Sequence, residues 1–566
     1  MRTSLALSLF ATTALAIWPL PVSYTNGSET LWIDQNVKIS YNGGNSSSNN
    51  TWTSKIVNNA IERTYDTLLN KNFVPWMFQE RNSDFEPKLT STSTYITSIV
   101  LQQNASDPSN IMKPDVGDVD ESYTLSMATT GEVTITAMSS IGLSYGLTTF
   151  TQLFFKHGNA ACAYTTVAPV EISDKPMFGW RGMNIDTART FKPMSELYAI
   201  IDAMAYNKMN RFHWHITDSQ SWPLVIPAMP ELAEKGAYAS FQQYSPEEVQ
   251  ALQEYGALVG VEVVMEIDQP GHTSAIGYAY PELISAFNLQ PWYWYAAETP
   301  AGTFKLNSTE VPEFLERLFD DLLPRLKPLT AYFHLGGDEV NANASTQDET
   351  VRSNKTSVLR PLLQKFMDRN QDQLASADFI PLVWEEMLLD WKLTLPMNTI
   401  VQTWISEQSV LEVVKQGYRA LVGASSTWYL DCGHGDWVDH LQGADARDAY
   451  PYLDWCGPVH NWRQMYAYDP LEGIPDHLAY LVIGGETHIW SEQTDAYNLQ
   501  PMLWPRTCAA SEVLWSGAKD EQGKNRSQIL ASPRLNEMRE RLVARGIRAE
   551  PVQMPYCTQN GTQCVQ

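Results

Sequence analysis

The sequence predicts an α/β protein: a (β/α)8 TIM barrel preceded by a small α+β domain. Three observations lead there. From about residue 180 onward, short β-like runs alternate with longer stretches of helical period, the order that makes a parallel sheet. Eight such runs occur, the number that closes a barrel. The first 170 residues have a different texture, with two helical stretches and two strand-like runs ahead of a proline-containing segment.

In the small domain, residues 54–70 place Ile56, Val57, Ala60, Ile61, Tyr65, Leu68 and Leu69 close to helical period. Residues 95–101 and 133–137 read as strands, 141–155 as a second helix, and the Gly/Asn/Ser cluster at 41–50 as a loop. Pro169 and Pro176 mark 167–176 as a connector, so the domains are expected at 17–170 and 171–566. The barrel strands are expected at 182–186, 211–216, 261–268, 331–336, 380–385, 399–404, 419–424 and 481–486. Helices are expected between them at 193–208, 246–258, 311–326, 358–370 and 409–416, with 501–516 and 534–545 closing the outer ring. The connection at 425–478 is long and carries nine Trp and Tyr residues, among them Trp428, Tyr429, Trp437, Tyr450, Tyr452, Trp455 and Trp462. A loop of that length in a compact domain is usually functional.

Composition narrows the partners. Lys plus Arg is 39 against 64 Asp plus Glu, a net charge of -25. Such a balance argues against nucleic acid and anionic membrane surfaces. The 19 Trp, 26 Tyr and 18 Phe are enough both for core anchors and for apolar platforms under a ligand.

The N-terminus reads as a secretory signal over residues 1–16, with Arg2, an apolar run from residue 5, and Ala14-Leu15-Ala16 as the cleavage site. The run is too short to span a bilayer and ends at Pro19 and Pro21, and no later segment is long and apolar enough. Glycosylation sequons begin at Asn26, Asn45, Asn49, Asn104, Asn307, Asn343, Asn354, Asn525 and Asn560. Of six cysteines, Cys557–Cys564 and Cys432–Cys456 are the expected disulfides, with Cys162 and Cys508 free and buried.

Barrel active sites form where the strands end. The polar residues at those ends are Arg181, Asp186 and Arg189; His213, His215 and Asp218; Glu266, Asp268 and His272; His334, Asp338 and Glu339; Trp384, Glu385 and Glu386; Trp404; Tyr429 and Asp431; Glu486, Trp490 and Glu492. Carboxylates and tryptophans meeting at one mouth suit carbohydrate chemistry, in which acids move protons and indoles pack on sugar faces. One alternative is a zinc-dependent amidohydrolase, since His213 and His215 share one face of a strand. The other is an inactive, chitin-binding lectin. Adjacent Asp338 and Glu339 after Gly336-Gly337 favour glycoside hydrolysis. Both carboxylates reach one pocket only where strand alternation has stopped, and side by side they should push each other's proton affinities apart.

Residues 178–190 (FGWRGMNIDTART), 207–224 (NKMNRFHWHITDSQSWPL), 266–273 (EIDQPGHT), 333–341 (FHLGGDEVN) and 484–492 (GGETHIWSE) resemble the family 20 glycoside hydrolases, and within them the secreted fungal β-N-acetylhexosaminidases. The resemblance spans nearly the whole mature chain. It implies exo-acting removal of terminal non-reducing N-acetylhexosamine, GlcNAc and also GalNAc, from chitooligosaccharides and glycans. The implied mechanism is retaining and substrate-assisted, through an oxazolinium ion. By resemblance, Asp338 orients the 2-acetamido group and Glu339 is the general acid and base. Tyr429 donates to the acetamide oxygen, and Asp186, Asp268 and His272 form a network tuning Glu339. Arg181 and Glu492 bind the O3 and O4 hydroxyls, and Asp431 the O4/O6 side. Trp384, Trp404 and Trp490 wall the pocket. No cofactor and no metal is implied. The family also suggests a homodimer through the barrel mouth. Ser219, Trp222 and Met265 stand where the family commonly has an acid, Phe and Pro. Trp18-Pro19-Leu20-Pro21 leads almost directly into the small domain, so no large propeptide is expected.

Overall fold

The structure, a computed structural model, describes residues 17–43, 51–439 and 454–565. The expected signal peptide, Asn45, Asn49, Tyr450 and Tyr452 lie outside the described residues.

The first unit is a six-stranded mixed sheet of β1 (Ser23–Asn42), β2 (Thr94–Gln103), β3 (Tyr123–Met127), β4 (Glu132–Ala137), β5 (Phe155–Lys156) and β6 (Ala163–Asp174), in the order β1-β2-β4-β3-β6-β5. The helices α1 (Thr51–Leu69) and α2 (Ser140–Gln152) belong to the same unit. Ile56, Val57, Leu143, Leu147 and Phe150 from the helices join Ile96, Ile99, Leu125 and Ile135 from the strands in one core. Of the six strands the sequence marks only β2 and β4; β1, β3, β5 and β6 depart from the expectation. β1 is polar and half-exposed, so its apolar content is too low to mark it. Residues 167–176 are mostly strand rather than connector. Pro169 sits in β6 opposite a bulge between Asn26 and Glu29, where a ladder tolerates a residue without an N–H.

The second unit is a closed barrel of eight parallel strands. They are β7 (Trp180–Asp186), β8 (Arg211–Thr217), β9 (Glu262–Ile267), β12 (Tyr332–His334), β13 (Ile380–Trp384), β14 (Ile400–Gln402), β15 (Arg419–Val422) and β16 (Val482–Ile489). The short β10 (Ile284–Ser285) and β11 (Thr303–Phe304) pair within the loop after β9. Every residue of β7, β8, β9 and β16 is buried, as expected for strands covered by helices outside and side chains within. Each expected run coincides with one strand.

Around the barrel run α3 (Met194–Tyr206), α4 (Glu231–Gly236), α5 (Pro246–Val259), α6 (Glu310–Leu326), α7 (Thr356–Ser376), α8 (Glu386–Leu389), α9 (Ser409–Lys415), α10 (Trp462–Ala467), α11 (Leu499–Leu503), α12 (Arg506–Ser516) and α13 (Gln528–Ala544). α5 shows how sequence sets the ends. Ser245 and Glu248 form a capping box, and Gly260 stops the helix in the left-handed conformation (φ 77°).

The two units are tied by buried polar contacts. Lys208 pairs with Asp174 at 2.9 Å, and the Trp515 indole donates to the same carboxylate at 2.9 Å. Arg541 pairs with Glu537 and donates to the carbonyls of Gln152 and Phe154. Cys432–Cys456 and Cys557–Cys564 are disulfides. Cys508 is free and buried, whereas Cys162 is free but only half-buried, because it lies in the turn before β6 rather than in the core. Among the described residues, no helix is long and apolar enough to cross a membrane.

Candidate active site

The carboxyl ends of the barrel strands surround a cavity of about 360 Å³, lined by residues that include Arg189, His272, Asp338, Glu339, Trp404, Tyr429, Asp431, Trp490 and Glu492. Of the twelve residues expected to form the site, eight line it directly: His272, Asp338, Glu339, Trp404, Tyr429, Asp431, Trp490 and Glu492.

The chain leaves β12 through a left-handed bend. Gly336, Gly337 and Glu339 have φ of 68°, 108° and 50°. A Cβ on Gly336 would lie 1.7 Å from Asp268 Oδ1, so glycine is required for the approach of that carboxylate. Asp268 Oδ1 in turn accepts from Gly337 N–H at 2.8 Å. The bend ends strand alternation and lets Asp338 and Glu339 share one pocket, as their spacing implied. Glu386, at the start of α8, accepts from Glu339 N–H at 3.2 Å and from the Trp404 indole at 3.0 Å, fixing both.

A chain of ion pairs reaches Glu339. His272 Nε2 is 3.3 Å from Glu339 Oε2, and its Nδ1 is 3.0 Å from Asp218 Oδ1. Asp218 Oδ2 also meets His215 Nε2 at 2.9 Å and Arg189 at 2.9 Å. Burial pulls the His272 imidazole down, but Asp218, Asp338 and Asp268 outweigh it and hold the ring well above its usual range, as a cation.

Asp338 is pushed well above the usual carboxylate range, by burial first and then by Asp268. Asp268 itself is pushed up to about 7, chiefly by burial. Each carboxyl has a buried oxygen that no protein donor reaches among the described residues, and a proton shared between them satisfies both. The neighbour that raises Asp338 most is therefore Asp268, not Glu339 as the sequence suggested. The reason is that Asp268 is buried against it while the Glu339 side chain is 32% exposed.

Three expected roles change. Arg181 is at the start of β7, the opposite end of the strand from the mouth. Its guanidinium is fully buried against Glu121 at 2.6 Å, the Phe178 and Lys208 carbonyls and the Trp515 ring, so it joins the two units and reaches no ligand. The arginine at the cavity is Arg189, held by Asp218, Asp186 and Glu298 and lying over the Trp490 ring at 5.1 Å. Asp186 does not act on Glu339. Its oxygens accept the N–H groups of Ala188, Arg189 and Ser491, positioning Arg189 and the turn after Trp490. Trp384 is 1% exposed and is not among the lining residues; its indole donates to Glu266 and its ring backs Trp490 at 6.1 Å, so it forms the layer beneath the wall.

The wall itself is Trp404 stacked on Tyr429 (6.4 Å, 16°), with Trp455 edge-on to both and Trp490 6.3 Å from Tyr429. Asp431 accepts from Trp490 N–H at 3.2 Å. Burial and Glu492 push Asp431 up to about 8; burial and Glu298 push Glu492 up to about 8. Asp218 and Glu386 stood among the strand-end residues, but sequence gave them no task. Trp292 and Glu298, from the loop between β10 and β11, had no signal at a strand end at all.

His213 and His215 lie beneath the cavity as core residues. His213 bridges Glu266 and Glu486, both at 2.9 Å, and His215 bridges Glu266 and Asp218. Burial lowers both rings, but the carboxylates prevail and lift them to about 9 and about 10. All four nitrogens thus face carboxylates.

Comparison with known proteins agrees with this geometry. A family model described as "Glycosyl hydrolase family 20, catalytic domain" matches residues 178–518, and one described as "beta-acetyl hexosaminidase like" matches residues 17–153. A "Beta-hexosaminidase" of Arthroderma benhamiae is 40% identical over 592 aligned positions, covering 97% of each chain. A "Chitooligosaccharidolytic beta-N-acetylglucosaminidase" of Ostrinia furnacalis is 34% identical, over 79% of this chain and 75% of that one. Among solved structures, the exo-β-N-acetylglucosaminidase of Vibrio harveyi in complex with N-acetylglucosamine shares the fold with a TM-score of 0.72 at 20% identity, over 95% of this chain and 79% of that one. Matched along the barrel by the family model and nearly end to end by a relative, the chain belongs to glycosyl hydrolase family 20.

Proposed function

We propose that the chain is an exo-acting β-N-acetylhexosaminidase that removes terminal non-reducing N-acetylhexosamine residues, GlcNAc and also GalNAc, from chitooligosaccharides and glycans. The observation that carries this reading is the bend after β12, which sets Asp338 and Glu339 together against the aromatic wall of Trp404, Tyr429 and Trp490. The names of the relatives, a β-hexosaminidase and a chitooligosaccharidolytic β-N-acetylglucosaminidase, support it.

In the proposed mechanism the acetamide carbonyl of the substrate attacks C1, and Glu339 gives its proton to the leaving oxygen. The C1–O bond breaks as the oxazolinium ring forms. Asp338 accepts the acetamide N–H, and the Tyr429 phenol donates to the acetamide oxygen. Glu339 then takes a proton from water, which opens the ring with net retention. Arg189 and Glu492 hold the O3 and O4 hydroxyls, Asp431 the O4/O6 side. The expected signal sequence, two disulfides and exposed sequon asparagines such as Asn26, Asn104 and Asn354 support secretion. Trp437 (41% exposed) and Trp455 (69%) at the rim support a contact between two copies there, which size-exclusion chromatography of a Trp455→Ala variant tests.

Release of the chromophore from an aryl N-acetyl-β-glucosaminide tests the activity. Glu339→Gln should lose about 10²–10⁴-fold on unactivated oligosaccharides and less on activated aryl glycosides. Asp338→Asn should cripple turnover of both; full activity of that variant would sink substrate assistance.

A further inference from the structure

A second cavity, of about 240 Å³, lies away from the barrel mouth in the seam between the small domain and the barrel. Its charged lining is Arg63, Asp66 and Lys71 from α1 and the turn after it, Asp202 from α3, and Arg545 just past α13. Three cations thus face two carboxylates in a chain whose net charge is -25. Asp66 is taken by Lys71 at 2.9 Å. Asp202 accepts the Tyr255 hydroxyl at 2.6 Å and stands 3.8 Å from Arg63. Arg545 lies over the Tyr206 ring, 3.4 Å from its centroid, and donates once, to Thr67 Oγ1 at 2.8 Å. Among the described residues no carboxylate makes an ion pair with it, and Asp66 and Asp202 act on it only from farther away. Arg541, one turn earlier, is committed to Glu537. Burial, with Arg63 and Arg541 nearby, pulls the Arg545 guanidinium down to about 10, against the opposing pull of Tyr206 and Asp202.

Guanidinium groups removed from water are normally paired, because an uncompensated charge in a low-dielectric site is costly. Arg63 and Arg545, both half-buried, share this cavity with donors to spare. The threonine hydroxyls do not add donors, since Thr64, Thr148 and Thr151 each donate to a carbonyl of their own helix. Recognition falls to the two planar forks, whose geometry matches a tetrahedral oxyanion.

We propose that this seam cavity binds an oxyanion of the phosphate or sulfate class, free or carried as an ester on a sugar, between Arg63 and Arg545. Arg63 stands on the small domain and Arg545 on the C-terminal end of the barrel unit, so the bound anion staples the two together. Binding only to the folded chain, it raises thermal stability by mass action. The proposal does not depend on the reaction at the barrel mouth.

Thermal unfolding of the full chain in a phosphate-free buffer, titrated with inorganic phosphate or sulfate against chloride of equal ionic strength, is the test. The midpoint should rise and saturate, without inhibition of chromogenic turnover. Arg63→Gln and Arg545→Gln should each weaken half-saturation by about tenfold or more, with KM and kcat unchanged. Arg63 is 29% exposed in its side chain, so that variant carries the test even if Arg545→Gln does not fold. A sugar phosphate acting at lower concentration than inorganic phosphate would identify the ester as the ligand; equal or weaker action would identify the free anion. No rise over chloride, the same rise in the variants, or a rise that tracks competitive inhibition would overturn the proposal.

Discussion

His272 stands between Asp218 and Glu339, 3.0 Å from one carboxylate and 3.3 Å from the other. It is held as a cation and has left-handed backbone (φ 52°), a conformation that persists where the surroundings demand it. Asp218→Asn or His272→Ala should lower kcat about 10²-fold. In His272→Ala the acid limb of the pH–rate profile should also move upward, because the cation that draws Asp268 and Asp338 down is gone. A loss of kcat with an unmoved limb would reduce His272 to scaffolding.

Arg189 and Arg181 should separate cleanly. Arg189→Lys keeps charge but loses the fork that Asp218 and Glu298 position, and kcat/KM should fall by about 10²-fold. Arg181→Met should leave KM near its original value and instead destabilise by about 3–5 kcal/mol, by stranding Glu121 at the seam. Steady-state kinetics and denaturant melts on the two variants check the pair.

Gly336→Ala adds a methyl where Asp268 Oδ1 already sits and forces a Cβ into positive φ. The cost should be about 2–4 kcal/mol. Activity should fall further than stability, because Asp268 and the bend carrying Asp338 and Glu339 must shift together. Equal activity in the variant, measured well below its melting point, would contradict the tight fit.

Stability should fall as pH rises from about 6 toward 9. Asp268, Asp431 and Glu492 have folded values near 7, 8 and 8 against ordinary values of 3.8, 3.8 and 4.5, so between these limits the folded state holds protons the unfolded chain has released. His213 and His215, raised from 6.5 to about 9 and about 10, contribute fully below 6.5 and lose that contribution as pH passes their folded values. Both groups act in the same direction. At the acid end, Glu266, Glu486 and Asp218, all held below their ordinary values, take stability away as they protonate. Melting temperature should therefore peak in mildly acid buffer, and Glu492→Gln should flatten the decline on the alkaline side.

The barrel was legible because its strands are short apolar runs separated by helices, a pattern that survives in one dimension. Asp338 and Glu339 were legible because two glycines announce the end of a strand just before them. Arg181 was misplaced because position along a strand decides which barrel end a side chain serves, and both arginines of that segment flank the same strand. Glu298 reaches Arg189 across 109 residues of sequence, from a loop whose course no periodicity describes. β1 escaped because its polar, half-exposed surface alternates too weakly to mark a strand.

Asp431 and Trp455, two lining residues of the sugar cavity, are the immediate neighbours of Cys432 and Cys456. One covalent bond therefore fastens a polar contact and an aromatic wall to each other across a sequence separation of 24. Cutting it removes the covalent tie between the two rim segments, while the carboxylates beneath stay anchored to β9 and β12. Reduction of this bond should thus raise KM more than it lowers kcat.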